Sequence, residues 1–125
     1  MNELLFNQPL DMIEEKFLSF CKAHDLHVFQ IIKQEEYAHH VGLTMKPTHL
    51  VIFGNPKSGT GLMNQSDLMA FNLPIKILFI AYDQKTKVIY QDPYLFQGLN
   101  ELDEHGNQVI KQMNELYNNI IHALK

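Results

Sequence analysis

Apolar residues recur along this chain with two periods, about 3.6 residues in some blocks and about 2 in others, and the blocks alternate. Glu3-Leu4-Leu5-Phe6 predicts a short first strand. Leu10, Ile13, Phe17, Phe20 and Cys21 then follow at helical spacing and form one apolar stripe that ends near His24-Asp25. Asn7-Gln8-Pro9 reads as the start of that helix, with proline at the first helical position, where its missing N–H costs nothing. Val28, Ile31 and Ile32, with Phe29 among them, predict a β-branched second strand, and Glu35 to Val41 a short helix stopped by Gly42. Pro47 introduces a third strand, Leu50-Val51-Ile52-Phe53, which runs into a glycine-rich segment.

After that segment Leu62, Met63, Leu68 and Met69 predict a short helix or two turns, ended at Asn72-Leu73-Pro74 because the residue before proline is pushed out of the helical region. The longest apolar run, Ile75 to Tyr82, predicts a central strand. Asp83 to Thr86 reads as a hairpin loop into a fifth strand, Lys87 to Tyr90, broken by Gln91-Asp92-Pro93. Val109, Met113, Leu116, Ile120 and Leu124, supported by Ile110, Tyr117 and Ile121, mark a closing amphipathic helix. The order is β-α-β-(α)-β-α-β-β-α. It predicts an α+β two-layer sandwich, a mostly antiparallel sheet with helices packed on one face.

Composition narrows the class. A chain of 125 residues, 46% of them hydrophobic, suits a single domain over residues 1–125 with one real core. No apolar run approaches the ~20 residues of a membrane span, and the N-terminus lacks a basic, then apolar, leader. Cys21 stands alone, which excludes an internal disulfide framework and suits a reducing compartment, so a cytoplasmic setting is expected. The net charge is -4 and the chain contains no Arg, the residue best fitted to bidentate phosphate and guanine recognition. Neither nucleic-acid nor membrane binding is expected.

The most unusual stretch is "FGNPKSGTGLM", residues 53–63. Gly54 and Gly59 have the glycine spacing of a Walker loop, but Thr60 stands where the lysine must be, and Lys57 lies too early. The dinucleotide fingerprint fails as well. One reading is a tight turn in which Gly54 and Gly59 permit positive φ and Asn55-Pro56 sets the bend. The other is a ligand-contacting loop, with Thr60 as N-cap of the following turn, converging backbone N–H groups, a positive Lys57, and Asn55 and Ser58 as neutral donors and acceptors.

"VGLTMKPTHLVIFGNPKSGTGLM", "LPIKILFIAYD" and "YQDPYL" together resemble the domain-of-unknown-function 302 family of bacteria and archaea. The resemblance is strong over about residues 27–96 and extends to the flanking helices in pattern only. It implies a compact two-layer α/β domain, often dimeric, with no established activity, so a homodimer is expected. This chain departs from the pattern at Ile32-Lys33-Gln34, where relatives carry an Ile-Asp-His-like triplet, and at Gly61, where they carry proline.

Other candidate chemistry is thinner. Glu36 and His39 have the spacing of a metal pair, as do His24 and His27, but further ligands are missing and solvated or helix-terminal positions explain them; no metal or cofactor is expected. Asp92, in Gln91-Asp92-Pro93-Tyr94, caps a turn or, if the sheet brings it near the glycine loop, pairs with Lys57 at one end of a pocket whose apolar side Phe53 and Tyr94 would wall. The primary expectation is non-enzymatic binding or sensing of a small anionic or polar molecule at residues 54–63. Its contacts would be Gly54, Asn55, Lys57, Ser58, Gly59, Thr60, Asp92 and Tyr94. A self-associating interaction module and a small enzyme of unknown reaction are the alternatives.

Overall fold

The apolar run Ile75–Tyr82 becomes β4, the middle strand of a five-stranded sheet, in a computed structural model that describes residues 1–125. The strands are β1 (Asn2–Phe6), β2 (His27–Lys33), β3 (Thr48–Gly54), β4 and β5 (Lys85–Tyr90), arranged β1-β5-β4-β3-β2. Every neighbouring pair is antiparallel, so the sheet is wholly rather than mostly so. The helices are α1 (Leu10–Ala23), α2 (Gln34–His40), α3 (Pro56–Met63), α4 (Asp67–Asn72) and α5 (Glu104–Leu124), with two short 3-10 turns between β5 and α5.

The period-2 pattern decides which sheet face is covered. Val51 and Phe53 of β3, Ile77 and Phe79 of β4, and Val88 of β5 point to one side and are buried. The stripes of α1 and α5 close that side. Phe17 sets its ring edge-on to Phe53 and Phe79, at centroid distances of 4.9 and 5.5 Å. Tyr117 of α5 stacks on Tyr90 at 4.5 Å, and its hydroxyl donates to the Lys76 carbonyl at 2.8 Å. Burial pushes the Tyr117 phenol well above its usual range, so it remains a neutral donor. Burial likewise raises the Cys21 thiol on α1 to about 11, which makes it an inert part of the core. The opposite sheet face carries Leu50, Ile52, Leu78, Ile80 and Ile89, all partly exposed.

Three boundaries differ from expectation, each for a local reason. Pro9 caps α1 from an extended conformation instead of occupying its first turn, and its carbonyl accepts from Met12 and Ile13. The hairpin loop is shorter than Asp83–Thr86: Tyr82 already faces Lys85, because Asp83 accepts a φ of 56°. Finally, α5 starts at Glu104, where Asp103 accepts from the Gly106 N–H at 2.8 Å and adds a turn the apolar stripe does not announce. No helix is long and apolar enough to cross a membrane.

Candidate functional site

The segment 53–63 is a strand end followed by a helix, not an open loop. Gly54 closes β3 with a φ of 149°, a backbone region that L side chains rarely enter, and this lets the chain leave the sheet at once. Asn55 then caps α3: its side-chain oxygen accepts from the Lys57 N–H at 2.9 Å and its carbonyl from the Gly59 N–H at 3.1 Å. Pro56 occupies the first helical turn, where its fixed φ helps.

Two expectations are corrected by this geometry. Thr60 is not an N-cap; it lies inside α3, and its carbonyl accepts from the Asn64 N–H at 3.0 Å. Gly59 has no positive φ, since the Asn-Pro start captures it into the helix, so of the two glycines only Gly54 is demanded by torsion. With Lys57 and Gly59 N–H groups already satisfied by Asn55, the converging donors expected for an anion are largely spent within the chain.

A pocket of about 360 Å³ opens beside α3. Its floor is the end of the core, Phe53 and Ile75; α5 contributes Val109, Gln112, Met113 and Leu116; the remaining wall is Leu26, Phe29, Met63, Leu73 and Pro74. Gly54, Asn55, Pro56, Ser58, Gly59 and Thr60 complete the rim. No charged side chain is among the lining residues. Gln112, Ser58 and Thr60 supply the pocket's neutral side-chain polar groups together with Asn55, and Gln112 and Ser58 also border the cleft beside it.

Not every expected site residue arrives there. Lys57 turns to a separate cleft with Gln65 and His105. Asp92 accepts from the Tyr94 N–H at 2.9 Å and caps a 3-10 turn, and neither residue lines the pocket, so the expected Lys57–Asp92 pairing at its edge does not form there. The α5 residues were not foreseen, since their stripe reads as core alone. The β-branched pattern of residues 28–32 predicts Phe29 within a regular strand. In fact β2 is bulged between Val28 and Gln30, which leaves Phe29 unpaired; its ring stands edge-on to His27 at 4.5 Å and it forms part of the pocket wall.

A second polar cluster went unseen in the sequence. His49, on the core side of β3 and only 7% exposed, has Glu14 of α1 2.8 Å from Nδ1 and Glu35 of α2 2.8 Å from Nε2. Each ring nitrogen thus meets a carboxylate oxygen, and each such contact is held by one shared proton. Glu35 also accepts from the Thr48 N–H at 3.0 Å. Burial alone would raise the Glu35 carboxyl, but the Thr48 N–H, its own backbone N–H and the His49 ring together hold it below the ordinary value. With both ring nitrogens taken, the cluster ties α1, β3 and α2 together and leaves no free ligand atom on the histidine. No grouping of three or more His, Cys, Asp or Glu side chains is arranged to hold a metal ion.

Fold and pocket together define an α+β domain with an antiparallel sheet, helices on one face and a largely apolar recess at one sheet end. The chain belongs to the family described as "Domain of unknown function DUF302", which matches residues 4–120. Its fold is similar to that of an uncharacterised conserved DUF302 protein from Bacillus stearothermophilus, with a TM-score of 0.82 at 15% identity, over 99% of this chain and 97% of that one. It is also 36% identical over 102 residues to the fluoride-specific ion channel FluC 1 of Brucella suis biovar 1 (strain 1330), covering 79% of this chain and 39% of that protein. FluC 1 of Brucella abortus biovar 1 (strain 9-941) is equally similar, with 37% of its length covered. The chain thus spans about two fifths of the curated relatives it matches.

Proposed function

We propose that this domain is a non-catalytic module that binds a small organic molecule in the pocket between α3 and α5. The single observation behind this is the pocket itself: about 360 Å³, open to solvent, built on the segment 53–63, with neutral polar groups on its rim. Recesses of this size and mixture are the usual form of small-molecule sites. A sensing role would have the domain report its bound molecule to whatever it assembles with, and part of two longer proteins named as fluoride-specific ion channels is similar to it. In this reading the domain works in the cytoplasm, with its one thiol buried. The test is a fragment panel of phosphates, carboxylates, amides and aromatic amines, followed by amide chemical shifts. Binding should move Gly54, Ser58, Gly59 and Gln112; a panel that moves none of them overturns the reading.

A specific observation also favours self-association. Leu78 lies near the middle of the middle strand, on the face that neither α1 nor α5 covers, among Leu50, Ile80 and Ile89. Five strands about 4.8 Å apart and some six residues long present roughly 500 Å² in plane, before side-chain relief is counted. That is on the scale of one partner's share of a dimer. A two-fold through the sheet centre would set Leu78 against its own copy. Light scattering should give the mass of two chains for the native protein and of one chain for Leu78→Lys; a monomeric native protein at micromolar concentration rules the dimer out.

A further inference from the structure

Two glycines, Gly59 and Gly61, sit in helical conformation within α3, where glycine is a poor helix former. Of the two, only Gly59 lines the pocket, and a Cβ built on it meets only the tip of Met63, at 3.9 Å. Neither torsion nor packing therefore requires glycine here. What the missing side chain does leave is bare backbone in a pocket wall that α5 shares through Val109, Gln112, Met113 and Leu116. Across the mouth stands Phe29, 43% exposed, brought there by a bulge that interrupts the β2–β3 ladder. A helical position without a side chain and a break in a strand ladder thus line one space.

Resting on the binding role above, we propose that the pocket takes a flat, neutral, largely apolar molecule of about two rings, laid against the Gly59 backbone and covered by Phe29. Size argues for this first. An apolar cavity of ~150 Å³ accommodates one benzene, and this one is about 360 Å³. Charge argues for it next. The lining holds no Lys, His, Asp or Glu, and Lys57 faces the neighbouring cleft, so an ionic group would be desolvated with no counter-charge. Gln112, Ser58 and Thr60 supply neutral donors and acceptors for one polar substituent. Shape completes it, because a glycine within a helix admits an aromatic face closer to the main chain than any other residue does.

Two dyes with one skeleton test the class. N-phenyl-1-naphthylamine is neutral, and 8-anilinonaphthalene-1-sulfonate adds a fixed negative charge. The neutral dye should bind once per chain with blue-shifted emission, and the sulfonate at least tenfold more weakly. Gly59→Ala should raise the melting temperature by about 3–5 °C while weakening the neutral dye several-fold. Gly59→Leu should abolish binding in a protein that still unfolds cooperatively, and Phe29→Ala should weaken it without touching the helix. Equal or tighter binding of the sulfonate, or unchanged affinity in Gly59→Leu, overturns the proposal. If neither dye binds but anionic or polar fragments move the pocket amides, this ligand class falls and the broader binding role stands. If nothing moves them, both fall.

Discussion

Around His49 each ring nitrogen has a carboxylate at 2.8 Å, whereas around Gly59 the pocket is lined by Ser58, Thr60 and Gln112 with no charged side chain among its residues. The two regions lie at opposite ends of β3, about 17 Å apart at the usual rise of a strand. One is charged and closed on itself; the other is neutral and unfinished. Desolvated charge is tolerable only when its partners come from the chain, so the first region belongs to folding. Apolar recess with spare neutral polarity is tolerable when water or a guest completes it, which is what the proposed binding role asks of the second region.

Removing one member of the closed cluster tests that contrast most severely. His49→Ala strands Glu14 and Glu35 against each other and should lower stability by about 3–5 kcal/mol, measured by urea unfolding. A loss no larger than an ordinary surface substitution would mean the three groups are solvated after all. Acid should probe the same end. Because the folded-state Glu35 carboxyl is held below its ordinary value, its contribution is complete at neutral pH and is lost as pH falls through that lowered value. Glu35→Gln should cost about 1–2 kcal/mol at neutral pH and show a flatter decline on acidification, read from melting temperatures across an acid series.

At the open end the two glycines should respond with opposite signs. Gly54→Ala forces a side chain into a φ of 149° and should destabilise the fold by about 1 kcal/mol or more. Gly59→Ala should do the reverse, adding roughly 0.5–1 kcal/mol through helix propensity. Calorimetry of the two variants side by side decides it; matching signs would erase the distinction between a glycine kept for the backbone and one kept for a ligand.

Much of the fold was legible because the sheet is covered on one side only. Alternation in β3, β4 and β5 and the stripes of α1 and α5 each encode a single buried face, which one-dimensional periodicity can report. The site was legible only where chain neighbours build it. Gly54, Asn55, Ser58, Gly59 and Thr60 are consecutive or nearly so, and all line the pocket. Gln112 and Phe29 come from distant elements, and nothing in their local pattern marks them. Thr60 misled because a hydroxyl before an apolar pair looks like a cap, while Asn55-Pro56, five and four residues earlier, had already begun the helix. His49 was hidden for a different reason: its meaning depends on Glu14 and Glu35, which are 35 and 14 residues away.

The bulge at Phe29 has a consequence at the sheet's margin. Since β2 is an outer strand, its far side presents unpaired N–H and C=O groups to any passing chain, as β1 does at the other border. A regular outer strand is a template on which foreign strands can add without limit. Where the ladder is broken by an extra residue, the spacing of those groups falls out of step with a straight newcomer, and addition stalls after a few bonds. The irregularity that walls the pocket therefore also guards against fibrous growth, and a version of this domain with β2 made regular would be expected to gain a tendency to polymerise edge to edge.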